Sequence, residues 1–124
     1  MRVAAALYGD AILTQFSDRL RAGLRALDIA ARYGGEEFVI AMPETDLPQA
    51  IIAAERLRRA VAKECFRLPD GEVANSVTVS VGVAEVYRGE SSDSVMKRAD
   101  TALYRAKAEG RNRTVAAQRK SQAA

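Results

Sequence analysis

Gly34-Gly35-Glu36-Glu37 is the stretch of this chain best suited to do chemistry. Two glycines let a backbone approach a phosphate with no Cβ in the way. Two adjacent glutamates can hold Mg²⁺, a hard cation that takes oxygen ligands and keeps company with substrate phosphates. A glutamate with a raised pKa could also take a proton from a ribose hydroxyl. The same four residues would equally serve a plain solvated hairpin turn, and the tetrapeptide alone does not choose between these readings. Composition narrows the chemistry. With no histidine and one cysteine, Cys65, an imidazole base, an intramolecular disulfide and a cysteine zinc cluster are excluded. Catalysis would have to use carboxylates, lysine, arginine, hydroxyls or a carboxylate-held metal.

The elements that must position this turn can be read from periodicity. A chain of 124 residues is one domain by size, and a domain of this length buries roughly two-thirds of its unfolded surface. Helical spacing begins at Asp10, a candidate N-cap, with Ile12, Leu13, Phe16, Leu20, Leu24 and Leu27 on one face. Residues 29–33 and 38–42 read as two strands joined through Gly34-Gly35. Asp46-Leu47-Pro48 starts a second helix, with Leu47, Ile51, Ala54, Leu57 and Val61 inward. A turn is expected at 68–71, and Val77, Val79, Val81 and Val83 then alternate as a strand. Ser91 or Ser92 caps a last helix running to about Glu109, with Val95, Met96, Ala99, Leu103 and Ala106 inward. Gly110 takes its C′ position. Residues 112–115 form a final short strand. The expected order is α-β-β-α-(turn)-β-α-β.

Net charge is +3, with the excess between Arg105 and Lys120. That favours an anionic ligand such as a nucleotide over nucleic acid, since no basic stripe interleaved with aromatics is present. No apolar run approaches the ~20 residues of a membrane span, and no signal peptide is seen, so a cytoplasmic protein is expected.

Three segments carry a resemblance to a known family: ARYGGEEFVIAMP (30–42), SVTVSVGVA (76–84) and RADTALYRAKAEGRN (98–112). In this order and spacing they resemble the GGDEF family, the diguanylate cyclases, in its GGEEF variant. The resemblance runs from about residue 8 to 115. It implies an α+β, ferredoxin-like or nucleotide-cyclase-like sandwich with a mainly antiparallel sheet, occupying 1–117 and followed by a polar tail. It also implies condensation of two GTP into cyclic di-GMP and pyrophosphate in a head-to-head homodimer, with Mg²⁺ or Mn²⁺. Gly34 and Gly35 would lie against phosphates, Glu36 would be a metal ligand, and Glu37 would assist the metal or the 3′-hydroxyl. Asp10 matches a guanine-reading aspartate, although a simple N-cap explains it as well. Lys107 and Arg111 match phosphate contacts; they are four residues apart, which would place both on one helix face, and a solvated basic helix end is the alternative. Arg25 and Asp28 match the family's RxxD product-inhibition site, with Arg56 completing it; guanidinium forks to phosphate or guanine edges and stacks on purines. A plain Arg–Asp ion pair is the alternative there.

The chain departs from the family at its start. The family opens with an internal strand whose aspartate ligates the metal, and that segment has no counterpart before Gly9-Asp10, where Ala5 and Ala6 replace a Gly-His pair. The expectation is an N-terminally incomplete sheet with unpaired edges, prone to self-association. Three readings stand: a cyclase, a catalytically impaired cyclic di-GMP receptor, and a non-functional gene fragment.

Overall fold

The computed structural model describes residues 2–5, 9–32, 37–63, 66–67, 71–74 and 77–118. In chain order these form β1 (Arg2–Ala5), α1 (Gly9–Ala22), β2 (Ile29–Arg32), β3 (Glu37–Ala41), α2 (Leu47–Lys63), β4 (Phe66–Arg67), β5 (Val73–Ala74), β6 (Val79–Val83), α3 (Ser92–Ala108) and β7 (Thr114–Ala116). Five strands form one sheet in the order β2-β3-β1-β6-β7, and β4 pairs with β5 apart from it. The β2/β3, β3/β1 and β1/β6 ladders are antiparallel, while β6/β7 is parallel.

The expected gap in the sheet is not there. β1 sits between β3 and β6, pairing Val3 with Phe38 on one side and Val81 on the other. Its extended backbone satisfies the N–H and C=O groups that β3 and β6 would otherwise leave unpaired. The element order therefore opens with a strand rather than a helix. The sequence of β1, Arg-Val-Ala-Ala, carries no carboxylate.

Val79, Val81 and Val83 alternate as read, but the whole of β6 is buried, including Ser80 and Gly82. The valines join Phe16 and Leu20 of α1, Phe38 and Ile40 of β3, and Ala54, Leu57 and Val61 of α2 in one core. The intervening residues face α3. A Cβ on Gly82 would lie 2.4 Å from the Ala99 carbonyl oxygen and 2.5 Å from the Leu103 nitrogen, so the helix backbone rests directly on the strand. Alternation therefore marks two covered faces here, not one wet and one dry.

The caps of α2 and α3 follow the sequence. Asp46 accepts from the Gln49 N–H at 3.0 Å, and Ser91 from the Ser94 N–H at 3.1 Å. Gly110 has φ 123°, where a side chain would be strained. One helical reading fails: Leu27 is 68% exposed. Gly23 ends α1, its N–H bonding the carbonyls of Arg19 and Leu20, so the apolar stripe continues to Leu24 but not to Leu27. The two-residue strands β4 and β5 are too short for periodicity to reveal, and the expected turn between them falls mostly at 68–70, outside the described residues. No described helix is long and apolar enough to cross a membrane.

Candidate functional site

Register places one set of candidate residues at a single end of the sheet. β1 runs antiparallel to β3 and β6, pairing Ala4 with Glu37 and Ala5 with Val79. The start of β3 thus lies beside the start of β6. α3 leaves the far end of β6 and returns, and β7 begins opposite Val81, so the end of α3 comes to the same place. α1 starts there as well, within four residues of β1. Glu37, Lys107, Arg111 and the first turn of α1, which contains Asp10, therefore gather at this end. Gly34, Gly35 and Glu36 lie outside the described residues. Glu37 is half-buried and shares the α3-side face of β3 with Val39, because Phe38 and Ile40 point into the opposite core. α1 begins at Gly9, so Asp10 lies inside the first turn rather than at the cap.

The reading of Lys107 and Arg111 as neighbours on one helix face needs correction. α3 ends at Ala108, and Gly110, Arg111 and Asn112 all have positive φ, at 123°, 62° and 44°. Gly110 breaks the helix, so Arg111 leaves the 3.6-residue spiral and sits in a left-handed turn. The Arg111 N–H bonds the Ala106 carbonyl at 2.9 Å, and Arg113 Nε donates to the Arg111 carbonyl at 3.1 Å. From α2, Arg58 Nη1 donates to Asn112 Oδ1 at 2.9 Å. Nε and Nη2 of the same guanidinium bind Glu55 at 3.1 and 2.6 Å. That bond lowers the Glu55 pKa and raises that of Arg58, so both stay ionised.

At the other end, Arg25 and Asp28 close a tight turn. The Asp28 N–H bonds the Arg25 carbonyl at 3.0 Å, and the Arg25 N–H donates to Asp28 Oδ2 at 2.9 Å. The Arg25 guanidinium forks onto the carboxylate, with Nη2 2.9 Å from Oδ1. Asp28 is 1% exposed while Arg25 is half in solvent. Nη2 also donates to Thr45 Oγ1 at 2.6 Å, and Thr45 Oγ1 donates to the Pro43 carbonyl at 3.0 Å. Arg25, then its backbone N–H, and more weakly the charge of Arg56, hold the Asp28 carboxyl below its usual range. Arg56 lines a small cleft with Arg19, Leu24 and Met42. The structure thus brings Arg25, Asp28 and Arg56 together, and adds Thr45, which no local pattern announces. The plain ion pair and a ligand site share this geometry.

A third charged cluster was also missed. Arg98 binds Glu90 through two bonds, at 2.8 and 2.6 Å, and lies 4.5 Å from the centre of the Tyr87 ring. Ser94 Oγ and the Tyr87 N–H donate to the same carboxylate. Arg98 above all holds the Glu90 pKa down to about 2. This cluster ties the loop after β6 to the start of α3. Its partners are eight residues apart along the chain, across a loop and a helix start, where no periodic signal points to them.

The donor set at the Glu37 end is hard oxygen. Among the described residues no group of three or more His, Cys, Asp or Glu is placed to hold a metal ion. One or two carboxylates fit Mg²⁺ shared with substrate phosphates and do not make an all-protein cage.

This fold and these two ends define a nucleotide-cyclase-like α+β domain. The model of the family "Diguanylate cyclase, GGDEF domain" matches residues 6–113, and the chain belongs to that family. Response regulator PleD of Caulobacter vibrioides is 44% identical over 108 residues, covering 86% of this chain and 24% of that protein. Diguanylate cyclase DgcM of Escherichia coli is 44% identical over 110 residues, covering 88% of this chain and 25% of that protein. The chain thus spans about a quarter of the length of these relatives. Among solved structures, the GGDEF domain of DgcB from Caulobacter crescentus, in complex with c-di-GMP, superposes with a TM-score of 0.87 at 31% identity, covering 95% of this chain and 74% of that one.

Proposed function

We propose that this domain binds GTP at the Glu37 end and, paired head-to-head with a second copy, condenses two GTP into cyclic di-GMP and pyrophosphate. The observation that carries this reading is the convergence of Glu37, Lys107, Arg111 and the start of α1 at one end of the sheet, on a chain with the GGEEF sequence. The 3′-hydroxyl oxygen of each GTP forms a bond to the α-phosphorus of the other, and pyrophosphate leaves. Positioning and charge do most of such work. Lys107 and Arg111 bring positive charge to the triphosphate, Gly34 and Gly35 admit it close to the backbone, and Asp10 accepts from the guanine edge. Glu37 orients the hydroxyl and receives its proton. Glu36 would hold Mg²⁺ or Mn²⁺, which would supply neutralising charge to the phosphates when bound. Arg25, Asp28 and Arg56 bind the product at the far end and restrain the reaction.

A second reading is favoured by β1, which brings no carboxylate to the metal: a receptor that keeps the product site and has lost turnover. Chromatography of cyclic di-GMP after incubation with GTP and Mg²⁺, beside a Glu36→Ala, Glu37→Ala double variant, separates the two. Product from the parent and none from the variant is expected. No product from either, with cyclic di-GMP still bound, would leave the receptor.

A further inference from the structure

The turn that carries Arg111 is unusual in its backbone. Arg111 and Asn112 both occupy the left-handed region, at φ 62° and 44°; asparagine tolerates it, but a residue such as arginine avoids it, so the strain falls on Arg111. Such a conformation persists where surrounding bonds over-determine it. Two of those bonds come from the chain next to the turn: Arg111 N–H to Ala106, and Arg113 Nε to the Arg111 carbonyl. The third comes from a different element. Arg58, on α2 and 54 residues away, donates Nη1 to Asn112 Oδ1 at 2.9 Å and reaches the Asn112 carbonyl at 3.4 Å. Glu55, one turn earlier, takes the other edge of the guanidinium and orients the fork. Arg58 is mostly buried, 18% exposed, and Arg111 is exposed.

We infer that Arg58 is a positioning residue that fixes the 110–112 turn through Asn112 and so aims Arg111 at the phosphates of a nucleoside triphosphate. The inference rests on the GTP reading above. Arg58 meets no ligand itself. Its planar fork spans Glu55 and Asn112 together, which a lysine ammonium cannot reproduce. Loosening the turn leaves the Arg25–Asp28 end untouched, because that end uses neither α3 nor the turn after it.

Calorimetric titration with GTP and Mg²⁺, and separately with cyclic di-GMP, tests this on the parent, Arg58→Met, Arg111→Ala and the double variant. Arg58→Met should weaken GTP binding by about fivefold or more, yet have almost no further effect in the Arg111→Ala background, a coupling of the size seen for residues in one network. Cyclic di-GMP affinity should be unchanged, and Arg58→Lys should not rescue. Asn112→Ala, which removes the same bond from the other side, should reproduce the loss if Arg58→Met fails to fold. An equal loss of GTP affinity in both backgrounds, or a parallel loss of cyclic di-GMP binding, would overturn the role. A parent that binds no GTP would remove the GTP reading itself, and this inference with it.

Discussion

The two ends of the sheet are built differently. At the Arg25–Asp28 end, the principal pair lies three residues apart, and the turn between them supplies the backbone bonds that hold it. Among the described residues, Thr45, Pro43 and Arg56 come from elsewhere. At the Glu37 end, the residues arrive from α1, β3 and the turn after α3, and they meet only because β1, β6 and α3 are packed in register. A site made from one turn keeps its geometry while that turn persists; a site assembled from distant segments depends on the whole core. The end proposed for GTP should therefore be the more fragile, and the end proposed for cyclic di-GMP the more robust.

Gly82→Ala should break that comparison most severely. The new methyl meets the Ala99 and Leu103 backbone, which cannot move aside without shifting α3. Overpacking of this kind costs about 3 kcal/mol. Thermal unfolding should show the loss. Below the lowered midpoint, GTP binding should fall much more than cyclic di-GMP binding, because α3 leads to Arg111 but not to Arg25. Equal losses would mean that the two ends are not independently built.

Acid should sharpen the comparison with a smaller effect. Glu90, held to about 2 by Arg98 and its neighbours, and Asp28, lowered by Arg25, both sit below their unfolded values of about 4. Their stabilisation is fully present above that value and fades as pH falls through the folded one. Unfolding midpoints measured from pH 7 to 2 should therefore drop in the acid limb. Glu90→Gln should flatten this limb, since its shift is the large one, and Asp28→Asn should flatten it less. A Glu90→Gln curve parallel to the parent's would exclude the Arg98 pair as a source of the acid loss.

Much of this was legible in the sequence, for identifiable reasons. Asp46, Ser91 and Gly110 carry their capping chemistry locally, and the structure uses each as read. Ala54, Leu57, Val61, Ala99, Leu103 and Ala106 are buried as their spacing demands. Arg25 and Asp28 are close in sequence, so their meeting was readable. What failed was long-range or short. Arg58 with Asn112, and Arg25 with Thr45, join residues 54 and 20 apart, and no periodicity connects them. The strand β1 was missed because four residues before a helix look like its approach; only the vacant slot between β3 and β6 makes them a strand. Arg111 was misplaced because spacing alone extends a helix through Gly110, whereas its backbone does not.

The central claim is that two chemically distinct sites occupy opposite ends of one sheet. Calorimetric titration of Arg25→Ala with both nucleotides tests it most directly. The expected result is a loss of cyclic di-GMP affinity of about ten- to a hundredfold, the worth of hydrogen bonds to a charged group, with the affinity for GTP and Mg²⁺ unchanged. Unchanged cyclic di-GMP affinity, or an equal loss of both nucleotides, would contradict it.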